Sequence, residues 1–263
     1  MSDWHIRYDG YDPDLEPLRE ALCTLGNGYF ATRGAVEELP AGGPHYPGTY
    51  LAGGFNRMAS EASGRTIENE DLVNFPNWLC LSCKPKGGDW LNPDEMEIID
   101  YQRILDLQNG VLERRIKIED ANQRRTSLVS RRFVHMENSH LAGIQWQLTP
   151  ENWSGEIVVR SALDGTVTNS GVERYSDLNG DHLQPVETGE TEDQNIYLMV
   201  GTRQSKIRMA QTARTKFYQD DQGTSLDPHG ELIEKTGYIA QDFTLECEAG
   251  ETLRVEKIVS LYT

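Results

Sequence analysis

The sequence has no long hydrophobic run and little positive charge. Its apolar runs are a few residues long, far below the ~20 that a membrane helix needs. Residues 1–5 lack the basic and apolar regions of a signal peptide, which favours a cytoplasmic protein. Lys and Arg number 25 against 42 Asp and Glu, so the net charge of −17 opposes binding to nucleic acid or anionic lipid. This charge says little about neutral ligands such as sugars.

Cysteine is scarce, with four among 263 residues. Cys80 and Cys83 form a lone C-x-x-C inside a segment whose composition is typical of a strand. Residues three apart on a strand point to opposite faces, so these thiols cannot share a metal there. Buried structural thiols are therefore expected rather than a metal or redox site.

Helical periodicity is confined to one short segment near the start. Leucines recur at three- and four-residue spacing from Asp14 to Leu25, and Pro17 fits the first helical turn. Gly26 stands where a glycine cap ends a helix. We expect one helix over 14–25.

The rest of the chain is dominated by short alternating strands. Trp4–Tyr8 is expected to form an edge strand, and Asn109-Gly110 separates two alternating runs as the turn of a hairpin. Further strands are expected at 115–119, 126–134, 141–148, 157–163, 166–168, 196–200, 207–210, 243–247 and 253–261, with the turn 248–251 joining the last pair. Segments 34–72, 176–195 and 217–230 are expected to be loops. This pattern indicates an all-β sandwich or barrel, taken as one domain over 1–263.

Sequence motifs do not reveal a catalytic centre. Gly26–Phe30 lacks the lysine and spacing of a phosphate-binding loop, G-x-S-x-G is absent, and His135 and His140 have no convincing metal spacing. With 42 acidic residues, no carboxylate pair can be selected for glycoside hydrolysis. Neither a metal nor a cofactor is expected.

One polar cluster, residues 68–78, has the side chains that bind sugars. Carboxylates and amides bond to hydroxyl groups, and an aromatic ring covers the apolar face of a pyranose. The candidate residues are Glu70, Asp71, Asn74, Asn77 and Trp78. Composition alone favours the alternative, a loop held by its own Asx turns with Trp78 in the core.

Five motifs occur in an order that resembles the N-terminal domain of glycoside hydrolase family 65. They are TLGNGYFATRG (24–34), YPGTYLAGGFNR (46–57), EDLVNFPNW (70–78), LTPENWSG (148–155) and RSALDGTVTN (160–169). The resemblance implies a large two-sheet antiparallel β-sandwich of the galactose-mutarotase-like supersandwich type. Its glycines at 28, 34, 48 and 165 are expected to hold turns.

The same resemblance implies that the parent enzyme is an inverting phosphorylase of an α-linked glucose disaccharide. Inorganic phosphate is its co-substrate and β-glucose 1-phosphate its product. The family places the catalytic acid and phosphate site in an (α/α)6-barrel that this chain lacks, so we expect the chain to be inactive alone. Residues 68–78 are then candidates for the rim of the substrate cleft or an interdomain contact.

Three alternatives stay open. The parent can be a trehalase-like hydrolase, the chain can be a free-standing carbohydrate-binding module, or it can be a structural domain that mediates a homodimer. An exposed aromatic platform would favour the module, and a large apolar patch would favour a structural role.

Overall fold

The computed structural model describes residues 4–62, 64–170, 178–219 and 223–263. Within these residues the chain forms nineteen β-strands, one α-helix and a single 3-10 turn, Pro13–Leu15. The helix is α1, Glu16–Leu22. The strands are β1 His5–Asp9, β2 Leu25–Gly26, β3 Phe30–Thr32, β4 Thr49–Leu51, β5 Phe55–Ala62, β6 Arg65–Leu72, β7 Leu81–Pro85, β8 Glu97–Asp106, β9 Val111–Glu119, β10 Arg125–Val134, β11 Leu141–Pro150, β12 Gly155–Asp164, β13 Leu183–Glu190, β14 Ile196–Thr202, β15 Arg208–Gln219, β16 Thr224–Leu226, β17 Gly230–Lys235, β18 Tyr238–Cys247 and β19 Leu253–Tyr262.

The strands pair antiparallel in two main sheets and two small ones, which confirms the all-β sandwich. The large sheet has the order β1-β8-β9-β10-β11-β19-β15-β14-β13, with β16 paired to β15. The second sheet has the order β17-β18-β12-β7. Strands β2-β3-β4 and the hairpin β5-β6 form the small sheets. Because β1 ends the large sheet, the predicted edge strand is confirmed.

Alternation of buried and exposed residues explains why the long strands were predictable. Strand β10 alternates along its length, and β11 places Trp146 and Leu148 completely in the core. The hairpin at Asn109-Gly110 is also confirmed, because Leu105 pairs with Leu112 across it and Gly110 has a φ of 65°. A positive φ there suits glycine, which has no Cβ to clash.

Two parts of the chain pack against the inner face of the large sheet. The second sheet covers one part, where Thr215 of β15 bonds Ser161 of β12 at 2.9 Å. The N-terminal segment that contains α1 covers the strands β8 to β10, where Arg103 donates to Glu16 at 2.6 Å. The core is therefore mainly apolar between the sheets, with a few buried polar contacts, and partly ionic under the N-terminal segment.

The predicted helix over 14–25 is wrong in its length and its cap. Residues 13–15 form the 3-10 turn, α1 ends at Leu22, and Leu25 and Gly26 form the strand β2. Gly26 pairs with Ala31, whose side chain leaves no room for a Cβ at Gly26. Strand pairing at Leu25 replaces the last helical turn, so Gly26 is needed for close approach rather than as a cap.

Segments expected to be loops also contain strands. Strands β4, β5 and β6 lie within 34–72, β13 lies within 176–195, and β16 lies within 217–230. The β6 strand is almost wholly exposed, so its residues lack the apolar alternation that would have shown it. Residues 176–177 and 220–222 lie outside the described residues.

Two smaller expectations are corrected. Residues 166–168 form no strand. The turn at 248–251 joins β18 to β19, but these strands belong to different sheets and do not pair. The turn therefore carries the chain from one layer of the sandwich to the other.

The four cysteines are free thiols, as expected for structural positions. Cys23, Cys83 and Cys247 are buried, and Cys80 is partly buried. Burial raises the pKa of Cys80 and of Cys247 to about 12. In the described ranges, no helix is long and apolar enough to span a membrane.

Candidate functional site

The hairpin of β5 and β6 carries two of the five candidate residues, Glu70 and Asp71. Asp71 lies opposite Asn56 near the hairpin base, and Glu70 lies opposite Arg57. The Glu70 carboxylate is exposed and lies 3.5 Å from the Arg57 guanidinium. An isolated two-stranded hairpin is only marginally stable in water, so contacts at its base must hold it.

Asn56 is the main anchor of this hairpin. Its buried side-chain oxygen accepts the backbone N–H groups of Gln204 at 3.0 Å and Ser205 at 2.9 Å. The amide nitrogen is thereby identified as a donor, and it lies 3.0 Å from Nδ1 of His182. Nδ1 must accept this bond, so the neutral ring carries its proton on Nε2.

His182 connects this anchor to Asp71. The ring is 1% exposed, and Nε2 lies 3.4 Å from the Asp71 carboxylate. Burial lowers the pKa of His182, although the nearby Asp71 and Asp181 carboxylates oppose this effect. The neutral imidazole is the form that fits, because protonating Nδ1 would break the bond from Asn56.

The other three candidate residues are buried and hold the chain itself. The Asn74 side chain accepts the N–H of Thr49 at 3.0 Å, and the Asn77 side chain accepts that of Leu79 at 2.9 Å. Trp78 has no exposed surface. From these positions the three side chains cannot contact a dissolved sugar, so exposed Glu70 and half-buried Asp71 are the solvent-accessible part of the predicted site.

A buried ionic cluster under the N-terminal segment was not predicted from the sequence. Arg114 donates to Glu37 at 2.7 Å and also to Glu38. Ser130 donates to Glu37 at 2.8 Å, and Arg132 donates to the carbonyl of Ala35 at 2.9 Å. Only the arginines at alternating inward positions of β9 and β10 hinted at it, since such positions are usually apolar.

Three residues of the same region come close enough together to suggest a metal site. One ligand atom from each of Glu16, Glu20 and His45 lies within 4.8 Å of the others. However, Glu20 bonds Nδ1 of His45 at 2.8 Å, and Arg103 bonds Glu16. Oε1 of Glu16 has no hydrogen-bond partner but lies 3.8 Å from the Arg19 guanidinium. Arg19 and Arg103 thus offset the charge of Glu16, and the three residues belong to a buried ion-pair cluster.

Among the residues that the structure describes, two shallow clefts lie away from Glu16, Glu20 and His45. One includes Asp193, Asp227 and Phe217, and the other includes Asp120 and Trp153. Phe217 is 1% exposed and Trp153 is 9% exposed. Neither ring offers an open face for stacking on a sugar.

The histidines considered as metal ligands have structural roles. Nδ1 of His135 accepts the N–H groups of Glu137 and Asn138. The ring of His140 stacks on Tyr262 with centroids 4.0 Å apart, and its Nδ1 bonds the carbonyl of Leu261. Both residues hold the turn between β10 and β11 in place.

These features define an all-β sandwich domain with an anchored, exposed hairpin at its surface. The family model described as glycosyl hydrolase family 65, N-terminal domain, matches residues 6–263. The chain therefore belongs to glycosyl hydrolase family 65, a family that includes disaccharide phosphorylases.

Known relatives are considerably longer than this chain. A kojibiose phosphorylase of Caldanaerobacter subterraneus is 31% identical over 264 residues, which cover 100% of this chain and 33% of the relative. An uncharacterized glycosyl hydrolase of Mycobacterium tuberculosis H37Rv is 37% identical over 260 residues, 99% of this chain and 19% of the relative. This chain thus spans a fifth to a third of their lengths.

A solved structure shows the same fold. It is named "Putative kojibiose phosphorylase from human microbiome" and superposes with a TM-score of 0.83 at 19% identity. The match covers 98% of this chain and 32% of that one. At this identity the likeness concerns the fold alone.

Proposed function

We propose that this chain is the non-catalytic N-terminal domain of a phosphorylase that cleaves an α-linked glucose disaccharide with inorganic phosphate. One observation carries the proposal. The family match extends over 6–263, whereas the chain spans only a third of a kojibiose phosphorylase. The remaining two thirds of such an enzyme would supply the catalytic region.

In the proposed reaction, a glutamic acid of the catalytic region protonates the glycosidic oxygen. Inorganic phosphate attacks the anomeric carbon from the opposite face, so the bond to the leaving glucose breaks with inversion. The products are glucose and β-glucose 1-phosphate. Phosphate takes the place of the activated water of an inverting hydrolase, and as an anion it needs no catalytic base.

Within this proposal the β5–β6 hairpin lies at the rim of the substrate cleft or against the catalytic region. Its Glu70 and Asp71 carboxylates can accept hydrogen bonds from sugar hydroxyl groups. The anchor through Asn56 and His182 gives the hairpin a fixed direction. Asn74, Asn77 and Trp78 are buried in the segment that follows β6.

Phosphorolysis tests the proposed activity. The isolated chain and the full-length enzyme are incubated with phosphate and maltose, trehalose, kojibiose or nigerose, and glucose 1-phosphate is assayed. We expect product from the full-length enzyme and none above a buffer blank from the chain alone. Turnover by the chain alone would contradict a non-catalytic role, and phosphate-independent glucose release by the full-length enzyme would indicate a hydrolase.

Substitution of two exposed glutamates tests whether the hairpin contacts the substrate. Glu70→Ala in the full-length enzyme should raise KM for the disaccharide several-fold while leaving Tm unchanged. Glu231→Ala, an exposed glutamate on β17, is the matched control and should change neither. Equal KM values for both variants and the wild type would show that Glu70 does not contact the disaccharide at the cleft rim. Specific sugar binding by the isolated chain would instead favour a carbohydrate-binding module.

A further inference from the structure

Helix α1 has its apolar side facing outward. Leu18 and Leu22 of α1 are 58% and 51% exposed, and Leu15, which directly precedes the helix, is 43% exposed. Glu16 and Glu20 on the opposite side are fully buried. An amphipathic surface helix normally shows the opposite arrangement. The leucine spacing that predicts a helix in the sequence therefore marks its outer face.

Ionic contacts prevent the helix from rotating its leucines inward. Glu16 bonds Arg103 of the large sheet at 2.6 Å, and Glu20 bonds His45 at 2.8 Å. Arg19 donates to the carbonyl of Gly10 at 2.8 Å. Turning the leucines toward the sheet would leave Arg103 buried without the carboxylate that neutralises it, so the outward arrangement is the stable one.

The outer face of α1 is uncharged although the chain carries a net charge of −17. Besides the three leucines it exposes Pro17 and Ala21. We call these five residues the leucine face. A contiguous apolar patch of roughly a few hundred Å² is often a functional interaction surface of a domain.

The size of the leucine face indicates which occupant it fits. A stable complex of separate chains buries about 800 Å² on each partner, whereas five side chains on two helical turns offer a few hundred Å² at most. A contact within one polypeptide needs less area, because a tether supplies millimolar effective concentration. Relatives about three times as long contain such a tethered region.

We propose that the leucine face docks an apolar surface of the catalytic region of the same polypeptide. This inference rests on the proposed function, since it needs a longer enzyme of which this chain is the N-terminal domain. The leucine face is a site separate from the β5–β6 hairpin. It would fix the sandwich against the catalytic region, whereas the hairpin would contact the cleft.

Thiol labelling tests the contact without using activity as the readout. Leu18→Cys is labelled with a maleimide in the isolated chain and in the full-length enzyme. Leu107→Cys, on an exposed leucine of the β8–β9 turn, is the control. The native thiols of this domain are a low background, because burial raises the pKa values of Cys23, Cys80, Cys83 and Cys247.

We expect the thiol of the Leu18→Cys variant to react rapidly in the isolated chain and at least ten-fold more slowly in the full-length enzyme. The thiol of the Leu107→Cys variant should react equally in both. Equal rates for Leu18→Cys in the two proteins would overturn the docking proposal, even if phosphorolysis is normal. Protection that grows with the concentration of the isolated chain would also overturn it, in favour of a second copy. Protection in an enzyme without phosphorolysis would support the contact and contradict only the proposed function.

Discussion

Nζ of Lys257 lies 2.7 Å from the carbonyl oxygen of Ala162, so a completely buried amine joins the two sheets of the sandwich. Its second acceptor, the carbonyl of Cys80, lies 2.9 Å away. Both acceptors are neutral and do not offset the loss of hydration. Burial therefore lowers the pKa of Lys257 to about 8.

The first prediction concerns this lysine. Because its pKa is about 8 in the folded chain and 10.5 when the side chain is fully hydrated, the unfolded state binds more protons between these values. The lysine thus contributes a free energy of unfolding that rises as pH increases from 8 to 10.5. The stability of the wild type relative to Lys257→Met should increase by up to about 3 kcal/mol over this range.

Urea unfolding of the wild type and Lys257→Met at about pH 7.5, 9 and 10.5 measures how the difference in their free energies of unfolding changes with pH. Lys216→Met, which removes an exposed lysine of β15, should show no comparable pH dependence. Tyrosines and cysteines also ionise in this range. Their contribution to the pH dependence is the same in variant and wild type, so it cancels in the difference between the two free energies of unfolding. A pH-independent difference would mean that Lys257 stays charged in the folded chain.

The second prediction compares two neighbouring carboxylates that share Arg114. Burial raises the pKa of Glu37, but Arg114 and Arg132 together lower it below its ordinary value. Burial and the charge of Glu37 raise the pKa of Glu38, although Arg114 opposes them. Glu37→Gln should cost about 3 kcal/mol at pH 7, because it leaves buried arginines uncompensated.

Glu38→Gln should cost less than Glu37→Gln at pH 7, because the raised pKa of Glu38 means that the folded chain stabilises its charged form less than that of Glu37. The Glu37 contribution is present above pH 4.5 and is lost as pH falls through its lowered pKa. Chemical denaturation of the wild type and both variants at about pH 7, 4 and 3 checks this. Equal costs for the two variants would show that the charge is shared rather than held on Glu37.

The third prediction concerns the hairpin anchor at His182. Burial lowers its pKa in the folded chain, so stability from the neutral ring is present above the ordinary value of 6.5 and is lost as pH falls below it. Amide exchange of β5 and β6, corrected for intrinsic rates, should therefore speed up several-fold at about pH 5 relative to pH 7. Amides of β10 should not change.

His182→Gln is the matched variant, because glutamine can accept from Asn56 and donate to Asp71 without titrating. Its hairpin should exchange at nearly the same corrected rate at both pH values. If the acid-induced exchange persists in this variant, another group controls the hairpin.

The fourth prediction separates two uses of glycine. A Cβ at Gly34 would lie 2.5 Å from the Cβ of Cys23, whereas a Cβ at Gly110 would meet open space but with a φ of 65°. Gly34→Ala should cost about 3 kcal/mol through overpacking. Gly110→Ala should cost about 1 kcal/mol through its backbone conformation. Thermal unfolding measures both costs, and equal values would refute the distinction.

Sequence alone determined the fold class, the long strands and the family. Strands such as β10 and β11 face the core on one side and solvent on the other, so their period of two is visible in the residues. The Asn109-Gly110 turn is encoded by adjacent residues. The five ordered motifs indicated the family, and the family model matches the range in which they lie.

Tertiary structure alone decided which side of α1 is buried, because Arg103 beneath it is eighty-seven residues away from Glu16 in the chain. It also placed Trp78 in the core and brought Asn56 to His182, contacts between segments that no local pattern connects. The hairpin strand β6 could not be recognised because both its faces are largely exposed. Local periodicity predicts which face of an element is buried when that face packs on an apolar core. It cannot predict the buried face where charged side chains are buried instead, or where neither face is buried.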